Sequence, residues 1–260
     1  MKDKIKVLFI DFDGTLFSHS RHKIPDSALE AINLVRSNGI LVFLCTGRAK
    51  SEFKQFDLSM LEVDGMVLCN GQIVLDNKGN ILFENPIEGR LKDRIIEMYV
   101  TKKQPVYLAN NEELMLNYEN ETIRRVQKAV SSQIPPVKEY SGEHFYMASA
   151  FYDNEDELAF LNDLKDDAEI TYWHAGAVDI VPKGACKSNG ILETLKLLNI
   201  PIEETIGFGD GDNDIDMLKH CGIGVAMGNS EDFIKEAADY VTDDIDSDGL
   251  YKAFKHFKLI

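Results

Sequence analysis

The 260-residue chain is 44% hydrophobic and 28% charged, an ordinary globular composition with room for a large core. Its net charge of −16 repels nucleic acid and anionic lipid, so neither is expected as a general partner. No run nears the roughly 18 apolar residues of a membrane span, and the stretch after Met1-Lys2-Asp3-Lys4 is too short for a signal peptide. A cytoplasmic protein is expected.

Residues 7–11 form an apolar run that ends in Asp11. The stretch "IPDSALEAINLVRSNG" predicts a helix. Asp26 or Ser27 would cap it, Glu30 could complete a capping box with Ser27, and Gly39 would end it. Next, "ILVFLCTGR" has the continuous apolar character of a strand buried in a parallel sheet. A shorter helix over about 49–58 leads to the apolar run "DGMVLCN". A hairpin follows in "IVLDNKGNILFENP", turning at Asn77-Lys78-Gly79-Asn80. Strands alternating with helices imply βαβ units and a parallel sheet.

From about 85 to 183 the pattern changes. Helices are predicted over 90–99, 121–131 and 154–166, and strands over 105–108, 145–152, 170–174 and 178–181, with a polar loop after the first strand. These strands read as amphipathic. The earlier grammar returns with a helix over 187–198, the strand "TIGFGD", a helix over 214–220 and the strand "GIGVAMG". A helix over 230–238, "DYVT" and a helix over 248–257 complete the chain. The expected fold class is α/β, with a doubly wound parallel core of residues 1–83 and 184–260 and an inserted α+β domain, 84–183. Cys45, Cys69, Cys186 and Cys221 show no CxxC spacing and are expected as reduced thiols.

Asp11 and Asp13, Thr46 with Gly47-Arg48, and "GFGDGDNDIDML" all fall at the carboxyl ends of predicted core strands, the edge where open parallel sheets bind ligands. Lys187 opens a helix, and its stem can reach the same edge. A carboxylate such as Asp11 attacks phosphorus without prior deprotonation, and the aspartyl phosphate it forms is open to water. Asp13, two residues on, points to the same side of an extended segment and could donate and later accept a proton. Asp11, Asp13, Asp210 and Asp214 stand against the single charge of Lys187. A hard divalent cation bound by oxygen closes most of that deficit, and the ligand set suits Mg²⁺.

A hydrophobic strand before "DFDGTL", another before "TGR", a later lysine, and "GDGDND" after a strand together resemble the four motifs of the haloacid dehalogenase superfamily of phosphohydrolases. The insertion resembles the α/β cap of its Cof-like sugar-phosphatase branch. The resemblance spans essentially the whole chain. It implies a Rossmann-like core and a Mg²⁺-dependent phosphatase of small phosphorylated metabolites, sugar phosphates foremost, acting through an aspartyl phosphate. It further implies that Asp11 and Asp210 ligate the metal through carboxylates and Asp13 through its carbonyl. Thr46, the Gly47 amide, Lys187 and Asn213 would hold phosphoryl oxygens, with Asp214 standing behind the ligands. The rival readings are a sugar phosphomutase and a non-catalytic phospho-ligand sensor. A mutase needs extra basic residues in the insertion, where Arg90, Arg124 and Arg125 stand amid many acids.

Several residues keep blander expectations. Lys183 competes with Lys187, and Arg48 divides between a phosphate contact and an ion pair. Asp212 and Asp216 read as solvated or helix-capping, "GIGVAMGN" as strand and turn, and Trp173-His174 as a core aromatic and a surface histidine. His19 and His22 follow the first motif in a polar loop and receive no role.

Overall fold

The computed structural model describes residues 4–130 and 132–260, with the backbone alone at residues 155, 156 and 158. Met1-Lys2-Asp3 and Ser131, the predicted last residue of a helix, lie outside the described residues. The chain divides into two compact units. Met1–Gly47, Phe56–Glu84 and Cys186–Ile260 form the first, and Arg48–Gln55 with Asn85–Ala185 the second.

The first unit begins with β1 (Val7–Ile10), α1 (Asp26–Ser37), β2 (Leu41–Cys45), β3 (Gly65–Leu68), β4 (Ile73–Asp76) and β5 (Ile81–Glu84). The second holds α2 (Gly89–Thr101), β6 (Val106–Ala109), β7 (Leu114–Leu116), α3 (Glu121–Ala129), β8 (Met147–Phe151), β9 (Ala168–His174) and β10 (Ala177–Pro182). The first unit then resumes with α4 (Lys187–Leu198), β11 (Thr205–Gly209), α5 (Ile215–His220), β12 (Ile223–Ala226), α6 (Asp232–Lys235), β13 (Tyr240–Val241) and α7 (Gly249–His256).

In the first unit the sheet order is β13-β12-β11-β1-β2-β3-β4-β5. The strands from β13 to β3 run parallel, whereas β4 and β5 pair antiparallel, so the predicted hairpin extends the core sheet and makes it mixed. Every residue of β1 is buried because helices cover both faces. Val7 and Phe9 share a cluster with Ile191 and Leu195 of α4 and Met217 of α5. On the other face Phe208 meets Phe254 of α7 at 5.3 Å, where α1 and α7 pack together. This is the doubly wound arrangement expected from the alternating pattern.

Local differences have local causes. Pro25 caps α1 without a side-chain hydrogen bond, while Ser27 Oγ donates to Asp248 instead, at 2.6 Å. The helix expected over 49–58 is a 3₁₀ turn, Lys50–Gln55. Asp57 accepts from Ser59 N and Oγ, an Asx turn that competes with further helix. The span 154–166 holds 3₁₀ structure, Glu155–Asp163, rather than an α-helix.

The second unit's sheet runs β7-β6-β8-β10-β9, antiparallel throughout. Strand β7 falls in the stretch read as a polar loop. Strands β6 and β8 are buried along their whole length rather than amphipathic. The cause is a helix on each face. Val106 and Leu108 cluster with Leu91, Ile95 and Tyr99 of α2, and Tyr107 with Ile123 and Val126 of α3.

Across the middle of this sheet Tyr107, Ser149 and Asp179 stand in register on neighbouring strands. Ser149 Oγ donates to Asp179 Oδ1 at 2.5 Å and Trp173 Nε1 donates to it at 2.8 Å. Desolvation outweighs these bonds and pushes the Asp179 carboxyl up to about 7. Over the window from the ordinary 3.8 to about 7 the unfolded chain releases this proton while the folded chain keeps it, so Asp179 costs stability as pH rises. The Asp179→Asn variant should therefore gain stability over the parent progressively as pH rises through that window. Urea unfolding of both at several pH values checks it, and a constant difference between them would refute it.

Candidate active site

Adjacent strands β11, β1, β2 and β3 end at one edge of the core sheet and deliver, in that order, Asp210, Asp11, Thr46 and Asn70. Lys187, the first residue of α4, joins them there. Its Nζ donates to Asp11 Oδ1 and to Asp214 Oδ1, each at 2.6 Å, and the side chain has no solvent exposure. Carboxylate oxygens of Asp11, Asp210 and Asp214 all lie within 4.8 Å of one another. Asp214 is fully engaged, since its Oδ2 also accepts from the Asp210 and Gly211 amides, both at 2.9 Å.

The electrostatics follow from this crowding. Burial first, then Asp214, holds the Asp11 carboxyl well above the usual carboxylate range. Burial and Asp214 likewise push Asp210 up to about 7. Burial works against the charge of Lys187, but Asp11 and Asp214 outweigh it and its pKa is raised. The ammonium stays charged, and the cluster of carboxylates retains a proton it would lose in water. A hard cation would relieve the same repulsion, and the all-oxygen donor set fits one. The buried aspartate cluster is consistent with a metal site.

Around this centre stand residues that motif reading did not single out. Thr15 Oγ1 donates to Asp210 Oδ1 at 2.7 Å. Asn229, after β12, donates to the Gly14 carbonyl at 2.9 Å and to Asp210 Oδ2 at 3.3 Å. Asn70 Oδ1 accepts from Asn213 Nδ2 at 3.1 Å, and both side chains lie beside Gly47. Thr46 is buried, and its carbonyl accepts from Asn70 N at 3.2 Å. Cys69, Asn70 and Gly71 all have positive φ, at 50°, 52° and 92°, so this turn stores strain to aim Asn70. A Cβ at Gly71 would come 2.2 Å from the Cys186 carbonyl, which only glycine avoids. The detectable signal was an Asn-Gly pair after a strand ending at the same edge. At Gly14, with φ of 78°, a Cβ would meet Asp210 Oδ2 at 2.2 Å.

Asp13 lies beside the cluster, with its Oδ1 2.8 Å from His19 Nε2. Asp216 accepts from Ser188 N at 2.8 Å and so caps α4, whereas Asp212 is exposed. In the second unit Lys183 pairs with Glu169 at 3.2 Å and Arg48 with Glu52 at 3.3 Å. Of the two competing lysines, Lys187 is the one among the aspartates. No disulfide links the cysteines.

A model of the haloacid dehalogenase-like hydrolases matches residues 8–254. The chain belongs to that family. Its fold superposes on a subclass IIB sugar phosphatase of the superfamily, BT4131, with TM-score 0.86, 33% identity, and coverage of 98% of this chain and 100% of that one. BT1666, a phosphatase from Bacteroides thetaiotaomicron, gives TM-score 0.87 and 32% identity over 98% and 96% of the two chains. The 5-amino-6-(5-phospho-D-ribitylamino)uracil phosphatase YcsE of Bacillus subtilis is 27% identical over 98% of this chain and 96% of its own. No helix of the described residues is long and apolar enough to cross a membrane.

If Lys187 is what makes the aspartate cluster tolerable, its removal should act through charge. Without divalent cation, Lys187→Met should lose on the order of 3–5 kcal/mol, the usual cost of an uncompensated buried charge. Asp210→Asn, of equal size, should gain stability under the same conditions. Chemical denaturation measures both, and a loss in both variants would show packing rather than charge to be at work.

Proposed function

We propose that the chain is a Mg²⁺-dependent phosphatase of small phosphorylated metabolites, sugar phosphates foremost, acting through a phosphoryl group carried on Asp11. The observation that carries this reading is the placement of Asp11. It ends a central strand, bonded to the buried Lys187 and crowded by Asp210 and Asp214, in a family of hydrolases whose solved relatives include a sugar phosphatase.

Asp11 would attack phosphorus as the ester oxygen leaves. Asp13 would give that oxygen a proton and, in the second half-reaction, take one from the water that attacks the phosphoryl group. Lys187, Thr46, the Gly47 amide and Asn213 would hold the equatorial oxygens, Asn213 being oriented by its bond to Asn70. Asp11, Asp210 and the Asp13 carbonyl would hold the cation, with Asp214 behind them keeping Lys187 in place. When bound, Mg²⁺ supplies positive charge that offsets the carboxylates and the substrate dianion together. The second unit, Arg48–Gln55 with Asn85–Ala185, would act as the cap that selects the remainder of the substrate.

A phosphomutase is disfavoured on its arginines. Arg90, Arg94, Arg124 and Arg125 each pair with a carboxylate, on Asp167, Glu97, Glu119 with Glu121, and Asp153. A sensor is disfavoured because each residue type that phosphoryl transfer asks for is present. Turnover of p-nitrophenyl phosphate separates an enzyme from a sensor, and a panel of phosphorylated metabolites identifies the substrate class.

Activity should require Mg²⁺ and vanish in excess chelator, and among changes to Asp210, Asn213 and Asp214, Asp210→Ala should weaken metal affinity most. Full activity in chelator would sink the metal assignment.

Asp11 and Asp13 should also separate by role. Asp11→Asn should form neither phosphoenzyme nor product. Asp13→Asn should lose on the order of 10²–10⁴ in rate, the usual worth of general acid–base help. With an aryl phosphate, whose leaving group needs little protonation, phosphate should accumulate on Asp11. Rapid quench with mass spectrometry reads this directly, and phosphate trapped on Asp13 would reverse the assignment.

A further inference from the structure

The loop after the first motif is built more firmly than its polar sequence implies. Ser18 and Lys23 exchange backbone hydrogen bonds of 3.0 and 3.3 Å and close residues 18–23 into a small ring of chain. Asp246, from the segment before α7, fastens that ring. It accepts from Ser18 Oγ at 2.6 Å and from Ser20 Oγ, pairs with Arg21 Nε at 3.1 Å, and its carbonyl accepts from Arg21 Nη2 at 2.5 Å. The neighbouring Ile245 N donates to Asn229 Oδ1 at 3.0 Å, and Asn229 in turn holds Gly14 and Asp210. One short segment thus braces both the aspartate cluster and the loop.

What the loop carries toward the cluster is His19. Its ring stands edge-on against Phe17 at 5.4 Å, and Phe17 is itself packed on Phe12 at 5.3 Å and Phe56 at 4.7 Å. The Nε2 atom lies 2.8 Å from Asp13 Oδ1. A half-exposed histidine held by both its ring and its nitrogen is a fixed element, and what it fixes is one oxygen of Asp13.

We propose that His19 is a positioning residue for Asp13. With Nε2–H donating to Oδ1, the proton that Asp13 carries resides on Oδ2, in a carboxyl group that can no longer rotate freely. That proton passes from Oδ2 to the ester oxygen as the phosphorus–oxygen bond breaks and the bond to Asp11 forms. In the second half-reaction Oδ2 takes a proton from the water whose oxygen bonds to phosphorus, as the bond from phosphorus to Asp11 breaks and phosphate leaves. No proton enters or leaves His19, which acts as a hydrogen-bond donor throughout. The inference rests on the role of Asp13 stated above.

The test compares phenyl phosphate, whose leaving group needs a proton, with p-nitrophenyl phosphate, whose leaving group hardly does. In His19→Ala, kcat/KM for phenyl phosphate should fall about tenfold, a modest share of general acid–base help, and that for p-nitrophenyl phosphate by less than about twofold. His19→Gln, which keeps a donor at the same reach and cannot titrate, should recover most of the loss. Asp246→Ala, which frees the loop, should show the same dependence on the ester. Added to Asp13→Asn, His19→Ala should cost nothing further. Equal losses on both esters, an added loss in the Asp13→Asn background, or no loss at all would overturn the proposal. A parent enzyme that turns over neither ester would overturn the phosphatase reading and this inference with it, whereas normal turnover by His19→Ala would overturn this inference alone.

Discussion

The first unit is organised around one unfavourable fact: carboxylates of Asp11, Asp210 and Asp214 share a space less than 5 Å across, with a single buried lysine among them. Nothing in the apolar core asks for this. The sheet makes it possible, because parallel β1 pairs Ile10 with Phe208 of β11 on one side and Leu44 of β2 on the other. Asp11, one residue beyond Ile10, and Asp210, the first residue after β11, are thereby brought together whether or not their charges agree. The attraction needed to hold them comes from Lys187, and its position is itself awkward, since a cation at a helix N-terminus opposes the dipole. Two carboxylates on its ammonium and Asp216 on the next amide offset that cost.

The backbone absorbs the rest. Gly14 exists where any side chain would strike Asp210, and the run of positive φ from Cys69 to Gly71 turns the chain back under Thr46. Strain of this kind persists only where surrounding contacts over-determine it. Here those contacts are the bonds that tie Asn70 to Thr46 and Asn213. The charged centre and the strained turn therefore support each other through one asparagine.

How much of this was legible in the sequence depended on the kind of constraint. The convergence of Asp11, Lys187 and Asp214 was legible because a strand end, a helix start and the turn after β11 fall at one edge of a parallel sheet. The core strands could be placed because helices on both sides leave no polar position along β1 or β2. The same reasoning misled in the insertion. There β6 and β8 are equally apolar on both faces, yet their small and polar residues, Ser149 among them, imitated alternation. Ser27 looked like a cap and serves Asp248 instead, since tertiary partners outbid a local motif. Residues 50–55 show why short helical periods are weak evidence, because a 3₁₀ turn and an Asx turn satisfy the same polar groups.

The supporting residues were illegible for a deeper reason. Thr15, Asn70, Asn229 and His19 contribute a few hydrogen bonds from side chains that occur on any surface, so their types carry little information alone. Their meaning comes from which loop brings them in, and that is set by distant segments. Asn229 reaches Gly14 across more than 200 residues of chain, and Asp246 reaches Ser18 across a similar span. Chemistry of bond-making restricts residue type strongly, while the work of orienting a reactive group restricts only geometry. A hydroxyl, an amide or an imidazole can each do it. The pattern that identifies such a site is therefore densest at the reacting atoms, and it thins within one hydrogen bond of them.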